Sequence, residues 1–209
     1  MKVLVACEFS GIVRDAFIAK GHDAMSCDLL PSEKPGLHYQ GSISDMLHYQ
    51  WDMMIAFPPC TYLSCVGNRW MSDDRRIKQK AAFNFFMLFV NADIPKICIE
   101  NPMGYVNTHY RKPDQTIHPF HFGDNDKKRT CLWLKGLPKL TWNKTGKFED
   151  SRKEPEPLYI CQGVKCKGKK MYFTEGIKGC GSKENRQKER SRTFQGIANA
   201  MADQWGAVV

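Results

Sequence analysis

An α/β domain with a mainly parallel sheet is what this sequence predicts, on three observations. The segment from Lys2 to Asp28 reads as a β-α-β unit. Two later apolar runs stop abruptly at corners, one at Pro58-Pro59-Cys60 and one at Glu100-Asn101-Pro102. Between them lies a long stretch with helical periodicity, and strands alternating with helices build parallel sheets.

Taken in order, Lys2-Val-Leu-Val-Ala-Cys7 is the uninterrupted apolar run of a strand buried on both faces, and Glu8-Phe-Ser-Gly11 is the turn after it. Ile12 to Lys20 carries Ile12, Val13, Ala16, Phe17 and Ile18 on a helix that Gly21-His22 ends. Asp23 to Cys27, closed by Asp28, is the second strand. Residues 29–50 hold Pro31, Pro35, Gly36 and Gly41 and read as a connection with one short element near Ile43. Trp51 to Phe57 is the next strand. Asp73 to Ala92 is a long helix whose Ile77, Ala81, Phe85, Leu88 and Phe89 are expected to face the core. Lys96 to Glu100 and Arg129 to Leu134 are the remaining strands, separated by a loop rich in His, Pro and Gly. Past Pro138 aliphatic residues thin out and lysines accumulate until a last helix, Phe194 to Trp205. The expected organisation is a core of 1–138, a basic insertion of 139–192 and a helix of 193–209 that returns to the core. No internal repeat is visible.

With 209 residues the chain can bury one substantial core and an appendage. Its net charge of +9 is concentrated late: Cys161 to Arg192 holds ten basic residues against three acids. Phosphate is the natural counter-charge, and a lysine-rich solvated loop is the competing reading. No apolar run is long enough to cross a bilayer, and an acid, Glu8, stands where a signal peptide would continue its apolar core. Nine cysteines, an odd number, several inside apolar runs (Cys7, Cys27, Cys98, Cys131), predict reduced thiols and a cytoplasmic protein.

The two corners carry the chemistry. Prolines restrict φ on either side of the turn before Cys60, so a strand from Trp51 would deliver that thiol to a sheet edge, where a nucleophile sits. The competing reading of any cysteine is a small buried apolar residue. Lys96-Ile-Cys-Ile-Glu100-Asn101-Pro102 repeats the construction with a carboxylate. In an open parallel sheet the turn after the first strand is the usual ligand edge; Gly11 would allow close backbone approach and Asp28 suits ribose hydroxyls.

In this order the corners resemble the DNA cytosine-5 methyltransferases, which use S-adenosylmethionine, over nearly the whole chain. That family's F-x-G-x-G is similar to Phe9-Ser10-Gly11-Ile12-Val13, with Val13 at the second glycine. Its acidic ribose binder resembles Asp28. Its G-D-I is similar to Gly41-Ser42-Ile43, where serine replaces the acid and Asp45 is the nearby substitute. Its P-C-Q-x-x-S resembles Pro59-Cys60-Thr61-Tyr62-Leu63-Ser64, its E-N-V resembles Glu100-Asn101-Pro102, and its Q-x-R-x-R resembles Asn125-Asp126-Lys127-Lys128-Arg129. Its closing G-N-x-V is similar to Ala198-Asn199-Ala200-Met201. The resemblance implies a Rossmann-like methyltransferase fold and S-adenosylmethionine as cofactor. It carries over Cys60, Glu100 and Arg129 as catalytic residues. Glu8, Phe9, Ser10, Gly11, Asp28, Ile43, Pro59 and Asn199 are then cofactor-binding, and Ser64, Asn101 and Lys127 substrate-binding. The acceptor would be cytosine in DNA, and the 139–192 insertion the target-recognition region.

Other readings stay open at this point. So short an insertion also suits single strands or a free cytosine nucleotide as acceptor. The Pro-Pro pair suggests an exocyclic-amine methyltransferase, although Phe57-Pro58-Pro59-Cys60 lacks the acid or amide and the aromatic ring that such a corner uses. Val13, Ser42, Thr61 and Asn125, all departures from the family pattern, suggest a noncatalytic nucleic-acid binder. Cys161-x₄-Cys166 with Cys180 hints at zinc, but structural zinc takes four ligands, and His109, His118 or His121 would have to complete the set. No metal is expected.

Overall fold

The structure, a computed structural model, describes residues 1–142, 154–162, 167–172 and 191–207. The chain begins with Lys2–Ala6 (β1), Ile12–Ile18 (α1), Asp23–Asp28 (β2) and His38–Gln40 (β3). Met53–Ala56 (β4), Asp73–Val90 (α2), Lys96–Asn101 (β5), Tyr105–His109 (α3), Gln115–Ile117 (β6) and Thr130–Lys135 (β7) follow. Tyr159–Ile160 (β8), Lys170–Met171 (β9) and Gln195–Trp205 (α4) come last.

Seven strands form one sheet in the order β3-β2-β1-β4-β5-β7-β6. The pairs β1–β2, β1–β4, β2–β3 and β4–β5 are parallel, and only β7 runs against its neighbours β5 and β6. This is the α/β, Rossmann-like, mainly parallel sheet expected. Its strand order reverses between β1 and β4, the switch point outside which such sheets bind ligands. Val3–Ala6 and Met53–Ala56 are wholly buried, which is why both strands read as unbroken apolar runs. The strands β3 and β6 and the helix α3 were not legible in sequence: they span three, three and five residues, too few to establish a period.

Ser72 caps α2 by accepting from the Arg75 amide, and Asp73 and Asp74 in the first turn complement its dipole. The expected core stripe of this helix is corrected at its start. Ile77 is 69% exposed and Ala81 exposed, whereas Gln79, Phe86 and Phe89 are buried, with Phe85 and Leu88 partly so. The reason is local: the first turns of α2 face the polar backbone that follows Cys60, not an apolar sheet.

By compactness the chain forms two units. One comprises Met1–Ile117, Arg129–Leu140 and Ala198–Val209, the other His118–Lys128 and Thr141–Ile197. The second unit thus includes residues 118–128, which the sequence reading assigned to the core, while 139–140 belong to the first. Within the first unit, Ala198, Met201, Ala202 and Trp205 of α4 are buried, the Trp205 indole N–H donates to Pro138 O (2.9 Å), and Asp203 pairs with Lys20. Within the second, β8 and β9 pair antiparallel, His121 stacks on Trp142 with ring centroids 4.0 Å apart, and Asp124 accepts from the Gly196 amide at 3.0 Å.

Cys7, Cys27, Cys60, Cys65, Cys98 and Cys131 are free thiols. Cys166 and Cys180, with Lys165, Lys178, Lys183, Arg186, Lys188 and Arg190 of the basic run, lie outside the described residues. Among the described residues no three His, Cys, Asp or Glu side chains are grouped to hold a metal, and no helix is long and apolar enough to cross a membrane.

Candidate active site

The carboxyl ends of β1, β2, β4 and β5 share one edge of the sheet, and the candidate residues emerge there. Past β4, the Phe57 amide still donates to Ala6 O of β1 (2.9 Å), so the chain leaves the sheet only at Pro58. Pro58 is buried, and Pro59 and Cys60 are exposed. The amides of Leu63 and Ser64 both donate to Cys60 O, at 3.0 and 2.9 Å, closing a turn around the cysteine. The buried-filler role belongs instead to Cys27, Cys98 and Cys131.

Ala56 lies opposite Ile99, so the next residues of β5, Glu100 and Asn101, stand beside the departing β4 chain, one strand spacing of about 4.8 Å away. Three contacts join the two corners. The Asn101 side-chain amide donates to Pro58 O at 2.8 Å in a buried position, the Tyr105 amide donates to Leu63 O at 2.8 Å, and Ser64 bridges to Gly104. A Cβ on Gly104 would stand 2.0 Å from Leu63 O, so only glycine permits this approach. Asn101, expected at the substrate, is fully buried, and its amide ties the acid corner to the thiol corner.

Glu100 is half-buried opposite Leu132 of β7. Because β7 runs antiparallel, its start lies where β5 ends: Cys131 is opposite Asn101, and exposed Arg129 lies two residues further out. Burial chiefly pushes the Cys131 thiol up; the Glu100 charge adds to that rise and the Arg129 charge opposes it, so both charges act at this edge. Lys127 belongs to the second unit, where it pairs with Glu154 (2.7 Å) and sits 5.6 Å from the centre of the Tyr172 ring. Expected at the substrate, its ammonium is engaged there by a carboxylate that it holds below the usual range.

On the β1 and β2 side, Gly11 takes φ +73° as the residue before α1, the left-handed conformation glycine accepts most readily. Glu8, Phe9 and Ser10 are buried, so they shape this edge more than they present side chains to it. The Ser10 hydroxyl donates to one Glu8 carboxylate oxygen at 2.5 Å, while the other, Oε2, is buried with no hydrogen-bond partner among the described residues. Burial raises the Glu8 pKa, and the Ser10 hydroxyl and the first amides of α1 draw it part of the way back. Asp28, half-buried at the end of β2, accepts from the Leu30 amide (2.9 Å), and burial raises its pKa too. Nearby, burial and then the Asp28 charge push Cys27 up to about 11 and Cys7 beyond the ordinary thiol range. Arg14 draws the Glu8 pKa back down and His38 that of Asp28, but burial outweighs both, and neither acid forms an ion pair among the described residues. Ile43 is buried in a 3-10 turn, and Asp45 accepts from the Tyr39 hydroxyl at 2.9 Å, so the proposed substitute for the missing family acid is already engaged. Asn199 lies on an exposed position of α4.

Sequence reasoning passed over three polar side chains. Arg14, fully buried, donates to Ser26, Ser32, Lys34 O and Pro35 O and pairs with Asp15. It thereby fastens the connection after β2 to α1, and both Gly11 and Gly36 lie close against its guanidinium. Arg75 and Gln79 reach the turn after Cys60. Nothing in the sequence pattern marked any of the three.

No protein-family model and no curated protein matches the chain. Among solved structures it is similar to a protein assigned as a DNA modification methyltransferase encoded within a prophage of E. coli, at 14% identity and a TM-score of 0.44, over 64% of this chain and 46% of that one. It is also similar to the S. pombe Dnmt2 methyltransferase, at 14% identity and a TM-score of 0.42, over 66% of this chain and 50% of that one. The chain thus matches about half the length of each of these structures.

Proposed function

We propose that this chain is an S-adenosylmethionine-dependent methyltransferase that methylates carbon 5 of cytosine in a nucleic acid through a covalent adduct with Cys60. The observation that carries this reading is the tie between an exposed cysteine corner and a carboxylate corner on adjacent parallel strands, made by Asn101 on Pro58 O and by Ser64 on Gly104. A thiol and an acid held together at a ligand-binding edge suit addition to an electron-poor ring.

The residues of the β1–β2 edge fit the cofactor. It carries positive charge on its sulfonium and amino groups and a ribose diol, and this edge offers a buried carboxylate oxygen at Glu8 with no hydrogen-bond partner among the described residues and an acid at Asp28. Asp28 would accept from the ribose hydroxyls, the Glu8 to Gly11 turn would run along the amino-acid part, and Ile43, Pro59 and Asn199 would complete the surround. When bound, the cofactor supplies an electrophilic methyl group.

Carbon 5 of cytosine is a weak nucleophile, and the protein's task is to make it a better one. The Cys60 thiolate adds to carbon 6, forming a C–S bond, as N3 takes a proton through Glu100, whose carboxylate first picks that proton up from solvent; the ring becomes an enamine nucleophilic at carbon 5. Arg129 steadies the charge gathering on the ring carbonyl. After carbon 5 is methylated, a base removes its proton, the C–S bond breaks, Cys60 leaves as thiolate, and N3 returns its proton to Glu100. General acid–base help of this kind is typically worth about 10²- to 10⁴-fold.

The test is transfer of labelled methyl from S-adenosylmethionine to duplex DNA, single-stranded DNA, RNA and cytosine nucleotides, with the product base identified. The expected product is 5-methylcytosine in a polynucleotide, absent with Cys60→Ser. N4-methylcytosine or N6-methyladenine would overturn the mechanism, and DNA binding with no label in any acceptor would make the chain a binder only.

A further inference from the structure

Arg75 and Gln79 stand one turn apart on α2, and both reach back to the turn that carries Cys60. Arg75 Nη2 donates to Thr61 O at 3.0 Å, and Gln79 Nε2 donates to Tyr62 O at 3.0 Å. The Cys60 carbonyl already accepts from the Leu63 and Ser64 amides. Three successive carbonyls, those of residues 60, 61 and 62, therefore have donors, and two of the three are supplied by α2. Contact with the same segment goes further than hydrogen bonding. The guanidinium carbon lies 5.1 Å from the centre of the Tyr62 ring, within cation–π range. A Cβ on Gly67 would stand 2.0 Å from Nη2, so the 3-10 segment Cys65–Trp70 passes directly against the guanidinium.

Arg75 is not there as a simple helix residue. Its Nε is buried with no partner among the described residues, a desolvation cost that a lysine or methionine would avoid. Gln79 is 6% exposed at a position where α2 would otherwise bury an apolar group. Both departures from ordinary helix packing point at one backbone turn.

We infer that Arg75 and Gln79 are positioning residues that fix the turn bearing Cys60 on the rigid body of α2, holding the thiol at its place beside Glu100. This rests on reading Cys60 as the nucleophile. The residues touch no reacting atom; they set where the sulfur stands.

The experiment compares Arg75→Met, Arg75→Lys and Gln79→Ala with the wild type by three measurements. These are kcat and KM for methyl transfer to DNA, the alkylation rate of Cys60 by iodoacetamide resolved by peptide mass spectrometry against added glutathione, and thermal stability. A loosened turn misplaces the thiol but admits reagent, so the two chemical readouts should move in opposite directions. For Arg75→Met, kcat should fall about 10- to 100-fold with KM within about twofold, because small misplacements of reacting groups are costly. Cys60 alkylation should rise about threefold or more as access increases. Arg75→Lys, which keeps one donor, should recover part of kcat. Should Arg75→Met fail to fold, Gln79→Ala, which removes one hydrogen bond and no ring contact, carries the same test. Variants that lose thermal stability with kcat and Cys60 alkylation unchanged would overturn the inference. If the wild type itself transfers no methyl, the functional reading fails, and the alkylation rates still decide whether α2 holds the turn.

Discussion

Two residues at the candidate site set its chemistry by burial as much as by charge. Cys60 is an exposed residue where Cys27, Cys98 and Cys131 are buried. Glu8 is the converse, a carboxylate 4% exposed whose Oε2 has no partner among the described residues and whose pKa is raised mainly by burial. A carboxyl whose folded pKa lies above its unfolded value of 4.5 contributes stability in full below that value and loses it as pH rises through the folded pKa. Glu8→Gln cannot ionise and should escape that loss. The melting temperature of this variant, relative to wild type, is therefore expected to rise as pH increases above 4.5; a difference that stays constant as pH rises would show that Glu8 has a partner in solution. This legibility differs from residue to residue. The places of Cys60 and Glu100 at the sheet edge could be read from sequence because each follows an apolar strand that stops at a proline-marked corner. Arg14, Arg75 and Gln79 could not, since their partners are backbone carbonyls and serine hydroxyls contributed by distant turns.

Adjacent strands β4 and β5 are coupled beyond the sheet by Asn101, and here the element matters more than any one group. Asn101→Ala removes a buried donor and leaves Pro58 O unpaired, which typically costs about 1–3 kcal/mol. Because that bond joins the cysteine corner to the acid corner, methyl transfer should fall by more than the stability loss explains. The comparison to make is kcat at a temperature where the variant is fully folded; unchanged kcat there would separate Asn101 from the site. The apolar periodicity made β1, β4 and β5 legible because both faces of these strands are covered. It misplaced the start of α2, where Ile77 is exposed and Gln79 is buried against a polar turn. It missed β3, whose His38, Tyr39 and Gln40 form a short edge strand with no buried residue to mark it.

At the scale of the whole molecule, the chain order of the corners conveyed the fold class, while the boundary between the two units was not legible because residues 118–128 leave the core between two of its strands. The second unit carries its own pH dependence. His121, stacked on Trp142, has its pKa lowered to about 4 by burial and by His118, so the folded state binds fewer protons than the unfolded one between that value and 6.5. Its stabilising contribution is present above pH 6.5 and is lost as pH falls towards about 4. Amide protection factors in the second unit, corrected for the intrinsic pH dependence of exchange, should fall over that window and stay level in His121→Phe; equal pH dependence in the two proteins would contradict the assignment. The central claim concerns the whole assembly of edge, thiol and acid, and it has a direct chemical test. If Cys60 adds to carbon 6 of cytosine, replacing the carbon 5 hydrogen by fluorine blocks the elimination that frees the enzyme. Incubation with S-adenosylmethionine and an oligonucleotide containing 5-fluorocytosine should yield a complex that survives denaturation, with the mass of the joined species on the Cys60 peptide, and Cys60→Ser should yield none. Methylation of unmodified DNA without any such trapped complex would contradict the account.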